Sequence, residues 1–213
     1  MALGDWVYGL LPAQVDETPL DDEDGVSYVV RLAKSKAYTA ASQVNTDSLV
    51  IAADTTVVDP QVDGTPLILG KPHDHAEART MLRSLRGHYH QVHTAITILS
   101  NGDNRIVTDL CTTPVPMRNY TDQEIEAYIA SGDPMDKAGA YAIQHAGFHP
   151  VDKPEGCYAN VMGLPLCHLT RSLSQFGIIP SANVPQACQD ALHYSCPVYA
   201  QILNESFQDY TYR

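Results

Sequence analysis

Asp54, Thr55 and Thr56 interrupt an otherwise apolar stretch that covers residues 49–58. A stretch of this kind is typical of a strand that is buried on both faces in the middle of an α/β sheet. An isolated buried charge is very costly, so Asp54 must be paired, bind a metal or open into a cleft. Two interpretations follow: Asp54 is a catalytic or metal-binding acid, or it caps a neighbouring backbone group.

The composition narrows the class of protein to which this acid can belong. The chain has 213 residues, 44% of them hydrophobic, which is enough for one substantial domain or two small lobes that share a cleft. No window approaches a membrane span, and the five cysteines form no C-x-x-C pair. These features predict a cytoplasmic protein with reduced thiols and no membrane partner.

The net charge of −12 argues against nucleic acid as a partner, because binding to its backbone depends on many Lys and Arg contacts. It does not exclude a small anion. A phosphorylated substrate would need a local basic pocket or a divalent cation to offset the acidic field. If Asp54 belongs to such a site, some of the 13 Lys and Arg residues should lie near it.

The hydrophobic periodicity predicts the elements that position these residues. They are a strand at 6–11, a helix at 26–42, strands at 49–59 and 67–69, a helix at 74–87, strands at 88–99 and 105–117, a helix at 121–132 and a helix at 166–177. Residues 178–213 have only a weak helical pattern near 186–193, so we expect a loosely attached tail. In the first helix, Lys36 flanks the apolar stripe, where it could face a site or extend along the surface into water.

Three histidines in the strand at 88–99 raise the question of a metal site. Strand alternation places His88 and His90 on one face and His93 on the other. A site built from all three is therefore disfavoured, and we expect exposed or hydrogen-bonded histidines.

Seven short motifs carry a resemblance to one family. They are Asp16-Glu17-Thr18, Arg31 to Ala37, Ala53-Asp54-Thr55, Gly70-Lys71-Pro72, His90 to Thr94, Asp136 to Gln144 and Asn160 to Pro165. Their order and spacing resemble the Maf (septum formation protein) family of nucleoside triphosphate pyrophosphatases over about residues 3–177. The resemblance implies a Maf-like domain at residues 1–177, incomplete at its N-terminus, followed by a C-terminal tail at 178–213.

This resemblance also implies a fold and a reaction. The fold would be α/β, with a mixed elongated sheet and flanking helices of the Maf/inosine-triphosphatase type, and with two lobes around a cleft. Family members are commonly homodimers. They hydrolyse a nucleoside triphosphate to the monophosphate and pyrophosphate with a divalent metal, Mg²⁺ or Mn²⁺, which could keep non-standard nucleotides out of nucleic acids. Asp54 matches the family's proton acceptor, and Thr55 with Gln144 resembles the branch that acts on dTTP and UTP.

The chemistry of the remaining residues fits this expectation. Lys36, Lys71 and Lys137 could place positive charge on the phosphate oxygens. Glu17 is the second acid, able to share a metal with Asp54 and to contact the substrate. Gln144 offers a donor and an acceptor, which suits a pyrimidine edge that carries one of each.

One family feature is missing from the sequence. Family members begin with a Ser-x-Ser-Pro-Arg-Arg loop that opens a helix, and no Ser-Pro-Arg-Arg occurs in this chain. Either the sequence starts at an internal methionine or the protein is an impaired relative. The alternatives to a dTTP/UTP pyrophosphatase are therefore a nucleotide-binding, septum-linked protein with little catalysis, or the same chemistry on another nucleotide.

Overall fold

The computed structural model describes residues 3, 4, 6–61 and 65–211. In chain order its elements are α1 Gly25–Ala41, β1 Leu49–Asp59, β2 Leu67–Leu69, α2 His75–Leu85, β3 Tyr89–Ser100, β4 Arg105–Pro116, α3 Asp122–Ala130, α4 Tyr158–Val161, α5 Leu166–Ser174, α6 Val184–Leu192 and α7 Tyr199–Asn204. Two short 3₁₀ turns, Asp133–Asp136 and Ala138–Ala140, lie between α3 and α4. In the described part of the chain, no helix is both long enough and apolar enough to span a bilayer.

The described residues form a sheet of four strands in the order β2-β1-β3-β4, and all of these pair antiparallel, whereas a mixed sheet was expected. Strand β1 pairs with β3 over residues 49–58, whereas β2 pairs with β1 only at residues 57–59. Among the described residues, no strand pairs with the other edge of β1 between residues 49 and 56. Ile51 in this part is 39% exposed, so the expectation of burial on both faces is wrong for this end of β1.

Helices cover the two faces of the sheet separately. On one face, Val29, Val30 and Ala33 of α1 pack against Ala95 of β3. On the other face, α2, α3 and the segment at 138–148 pack against β1, β3 and β4. The predicted α/β fold, with an elongated sheet, flanking helices and a cleft, is confirmed.

Short-range hydrogen bonds fix the starts of α2 and α3. Thr121 and Glu124 form a reciprocal capping box at the start of α3, and the Asp74 side chain accepts from the Glu77 backbone N–H at 2.8 Å. The turn between β3 and β4 falls at residues 101–104, as predicted. The strand predicted at 6–11 is wrong, since residues 6–11 pair with no strand and Val7 is fully exposed.

The C-terminal segment, residues 178–211, is not a loose tail. The weak pattern near 186–193 corresponds to α6, and Val184 and Ile202 are buried. The Tyr194 hydroxyl donates to the Pro154 and Gly156 carbonyls at 3.0 and 3.1 Å. The expectation of loose attachment is therefore wrong, because hydrogen bonds to distant backbone groups hold the segment. The division of the chain at residue 177 stays a prediction.

The three histidines of the 88–99 region each have a hydrogen-bond partner. His90 Nε2 lies 2.8 Å from the Tyr141 hydroxyl, and His93 Nδ1 lies 2.8 Å from Thr112 Oγ1. His88 Nε2 lies 3.2 Å from a carboxylate oxygen of β1. Burial lowers the pKa of His90 to about 3, so its ring is neutral at pH 7. This agrees with the expectation of hydrogen-bonded histidines.

Candidate active site

A cavity of about 340 Å³ lies beside β1. Its volume is in the range of small-molecule sites in proteins. All seven residues that the sequence predicted for the site line it: Glu17, Lys36, Asp54, Thr55, Lys71, Lys137 and Gln144. The structure therefore brings together residues that are up to 127 positions apart in the chain, while their individual roles stay predictions.

Lys36 joins the two acids of the cavity. Its ammonium group donates a hydrogen bond to Asp54 Oδ1 and lies 2.9 Å from Glu17 Oε1. Asp54 points to the face of β1 that α1 covers, and its side chain is 8% exposed. Lys36 is also partly buried, because it flanks the apolar stripe of α1. It therefore faces the site, which the sequence had left open.

The surroundings of the two acids shift their pKa values in opposite directions. Burial raises the pKa of Asp54 above its ordinary value, and the Lys36 ammonium offsets only part of this effect. The hydrogen bond from Lys36 lowers the pKa of Glu17, which is more exposed. Asp54 is therefore the stronger base of the two, and Glu17 is a carboxylate at neutral pH.

The loop that carries Glu17 is tied to α1 by two residues that the sequence reasoning missed. The Tyr28 hydroxyl donates to the Glu17 carbonyl at 2.8 Å. Arg31 donates to the Thr18 carbonyl at 3.1 Å and forms two hydrogen bonds with the Glu23 carboxylate. Both residues lie on α1 three positions apart, so they project on the same side of the helix. The three-residue spacing of Tyr28 and Arg31 was the feature of the sequence that could have indicated this role.

The other two lysines enter the cavity from segments that contact each other. The Gly139 backbone N–H donates to the Gly70 carbonyl at 3.0 Å. This bond joins the segment that carries Lys71 to the segment that carries Lys137. Lys137 donates to Asp136 Oδ1 at 2.6 Å and to the Asp133 carbonyl at 2.8 Å.

Lys71 differs from the other two lysines of the cavity. Within the described residues it makes no hydrogen bond or ion pair, and its side chain is exposed at the cavity. Its positive charge helps to lower the pKa values of Glu17 and Asp54, after the larger effects of burial and of Lys36. Lys71 therefore adds a positive charge to the cavity that forms no ion pair with a described acid.

Thr55 lies on the opposite face of β1 from Asp54, because successive strand residues alternate. Its Oγ1 lies 2.8 Å from Oγ1 of Thr94, the residue directly opposite on β3. Gly163, whose φ is +100°, approaches so closely that a Cβ there would be 3.3 Å from Thr55 Oγ1. The exposed Gln144 lines the same cavity. No role was predicted for Thr94, because its position opposite Thr55 depends on how β1 and β3 pair.

The charges that line the cavity indicate whether it could bind a divalent cation. Three lysines face three acids there, Glu17, Asp54 and Asp136, so the lining has no net charge to neutralise a triphosphate. Each of Glu17 and Asp54 contacts Lys36 through one carboxylate oxygen. In the described part of the chain, no group of three His, Cys, Asp or Glu residues forms a complete metal site. Two carboxylates nevertheless suit Mg²⁺, which usually takes further ligands from water and substrate phosphates.

Comparisons with known proteins show which proteins the chain is similar to. The family described as Maf-like protein matches residues 3–176. A dTTP/UTP pyrophosphatase of Nitrosomonas europaea is 44% identical over 171 residues, which cover 78% of this chain and 79% of that protein. A dTTP/UTP pyrophosphatase of Pasteurella multocida is 41% identical over 179 residues, with 80% of this chain and 86% of that protein covered. A third protein of that name, from Dictyoglomus thermophilum, is 41% identical over 151 residues, covering 70% and 76%.

Proposed function

Because the chain belongs to the Maf family, we propose that it is a nucleoside triphosphate pyrophosphatase that hydrolyses dTTP and UTP to the monophosphate and pyrophosphate. Relatives that carry the name of this activity support the proposal, at 41–44% identity over most of the chain. The observation that carries it is the buried Asp54, which has a raised pKa and pairs with Lys36. Both residues lie in a cavity that is lined by three lysines.

Asp54 acts as the general base in this proposal. Hydrolysis of a phosphoanhydride needs a water molecule that is deprotonated and aimed at phosphorus in line with the leaving group. A carboxylate with a raised pKa is a better proton acceptor near neutral pH than an ordinary aspartate. Lys36 fixes the orientation of this carboxylate through Oδ1.

In this proposal the lysines stabilise the negative charge of the substrate phosphates. Negative charge develops on the leaving pyrophosphate, and fixed positive groups stabilise it without reorganisation. Lys71 is suited to this role because it has no ion pair among the described residues. Lys137 lies at the same cavity and is held by Asp133 and Asp136.

Asp54 and Glu17 would hold a Mg²⁺ or Mn²⁺ ion together with the substrate phosphates. When bound, the ion would supply Lewis-acid stabilisation of the phosphate charge. The fit rests on two carboxylates at one cavity whose lining, with these two acids counted, carries no net charge. In this proposal Asp54, Glu17 and the lysines bind and orient the phosphates, and Thr55 and Gln144 contact the base.

The test is pyrophosphate release from dTTP and UTP with magnesium or manganese. Asp54→Asn keeps the shape of the side chain but removes the base, so we expect kcat to fall about a thousandfold. The matched control is Asp59→Asn, since Asp59 is a buried acid of the same strand whose partners, Gln61, Ser84 and His88, lie outside the cavity lining. Thermal unfolding of both variants reports any loss of folding.

Equal turnover by wild type and Asp54→Asn would contradict the assignment. Nucleotide binding without turnover by the wild-type chain would instead favour the nucleotide-binding, septum-linked alternative. A panel of nucleotides in the same assay addresses the third alternative, a different substrate. A homodimer, a cytoplasmic location and the absence of nucleic-acid binding remain predictions beside this proposal.

A further inference from the structure

A buried chain of hydrogen bonds lies behind Thr55. Thr94 and Asn160 are both fully buried. Thr94 Oγ1 lies 2.8 Å from Thr55 Oγ1 and 3.0 Å from the Asn160 backbone carbonyl oxygen. The Asn160 side chain is itself fixed, because its Nδ2 donates to the Val92 carbonyl and to Thr113 Oγ1, both at 2.9 Å. The chain therefore has little freedom to rearrange.

The Asn160 carbonyl sets the direction of the hydrogen bonds in this chain. A carbonyl oxygen can only accept, and the Thr94 hydroxyl donates its single proton to this one at 3.0 Å, beside the Gly163 backbone N–H, which donates to the same oxygen at 2.9 Å. If the Thr94 proton pointed to Thr55 instead, two oxygens would face each other at 3.0 Å without a proton between them. The Thr55 hydroxyl must then be the donor in its bond to Thr94. It is left with lone pairs, and no proton, for the cavity.

We propose that Thr94, held by the Asn160 carbonyl, is a positioning residue that fixes the Thr55 hydroxyl as a hydrogen-bond acceptor for the ring N–H of uracil or thymine. This inference rests on the proposed function. Phosphate oxygens are acceptors only, so they cannot be the partners of a Thr55 hydroxyl whose proton is already used. The donors of a nucleotide are its sugar hydroxyls and its base, and only the base differs between UTP and CTP, so we assign Thr55 to the base end.

The hydrogen-bonding pattern of the bases makes this a selective device. Uracil and thymine carry a proton on ring nitrogen N3, whereas the same nitrogen in cytosine is an unprotonated acceptor. A hydroxyl that accepts can bond to the N3 proton of uracil or thymine. Against cytosine it faces the lone pair on N3, which leaves a polar group unpaired. Gln144 at the same cavity supplies a further donor and acceptor for the ring edge.

The experiment compares UTP with CTP, and UMP with CMP, in wild type and Thr94→Val. Valine has the shape of threonine without the hydroxyl, so Thr55 becomes free to rotate and to donate. We expect kcat/KM for UTP to fall about tenfold, mainly through KM, and the preference for UTP over CTP to fall by a similar factor. Binding of UMP and CMP, measured by calorimetry, should show the same loss of preference.

Two variants separate this role from a structural one. Thr94→Ser keeps the hydroxyl and should retain the preference for UTP. Thr97→Val removes a buried hydroxyl from the same strand, where Thr97 pairs with Thr108 at 3.0 Å away from the cavity lining. It should lower the melting temperature about as much as Thr94→Val without changing the base preference.

The outcomes also separate this inference from the proposed function. A UTP preference that survives in Thr94→Val, or is lost equally in Thr97→Val, overturns the positioning role. If the wild type releases no pyrophosphate, the proposed function fails, and the UMP and CMP binding still decides whether Thr94 controls base selection. Equal binding of UMP and CMP by the wild type would overturn the inference on its own.

Discussion

Asp54 is held in the cavity by charges, whereas Thr55, on the opposite face of β1, is held there by neutral hydrogen bonds. Lys36 stands between two carboxylates on the first face. On the second face, Thr55 connects through Thr94 to a backbone carbonyl. Charged groups respond to pH, salt and cations, while a neutral bond of fixed direction does not. The first face thus suits the phosphates that all nucleotides share, and the second suits the base that distinguishes them.

The largest effect after loss of Asp54 should come from Lys36→Met on the charged face. We expect kcat/KM for UTP to fall about a hundredfold, because an oriented charged donor is lost. The pH profile should move as well. Lys36 lowers the pKa of Asp54, so its removal raises that pKa further. A base works only when deprotonated, and the acid limb of kcat/KM should therefore shift to higher pH.

Lys34→Met is the matched control for this change. Lys34 lies on the same helix, but its ammonium donates to the Thr211 carbonyl and does not line the cavity. Its pH profile should match that of the wild type. An acid limb that stays in place in Lys36→Met would show that another group, not Asp54, sets it.

A smaller effect should come from Gln144→Glu on the neutral face. The new carboxylate loses the amide donor, so we expect KM for UTP to rise about tenfold with kcat little changed. Nucleotide preference is measured across a panel of triphosphates. Gln43→Glu, an exposed amide at the end of α1, provides the same change of charge outside the cavity. A large fall in kcat in Gln144→Glu would remove the distinction between the two faces.

The smallest effect should come from Arg31→Gln, which loosens the loop that carries Glu17. Tyr28 and Lys36 still hold this loop, so we expect kcat/KM to fall only about fivefold. The magnesium concentration for half-maximal activity should rise, because Glu17 is less well placed. Arg79→Gln breaks an equivalent arginine–carboxylate pair with Glu126 between α2 and α3, and it should leave both quantities unchanged. The same shift in both variants would point to general destabilisation.

Local patterns explain what the sequence could predict of the fold. The apolar stripe of α1, the helix that begins after Thr121 and the two strands on either side of residues 101–104 depend on neighbours in the chain, and all were predicted. The exposure of Ile51 depends on which strand lies beside β1. The attachment of the C-terminal segment depends on backbone carbonyls far away in sequence, which any residue type can supply.

The site shows the same division. Ordered motifs located its seven candidate residues, because residue type and spacing carry that information. They could not show that Lys36 bonds to both acids, since both distances arise only when α1 packs on β1. The direction of the bond from Thr55 was likewise hidden, because it depends on a main-chain oxygen of residue 160.

The C-terminal segment has a consequence for how the protein behaves at high concentration. Strand β4 is one of the two outer strands of the described sheet, and outer strands can recruit strands from other molecules and so start aggregation. Here the Tyr210 backbone N–H donates to the Thr108 carbonyl at 2.8 Å, and the Asp209 carboxylate accepts from the Thr108 N–H at 3.1 Å. Asp209 and Tyr210 thus occupy the outward backbone groups of Thr108 near the middle of β4. A strand from another molecule could pair along this edge only after displacing them.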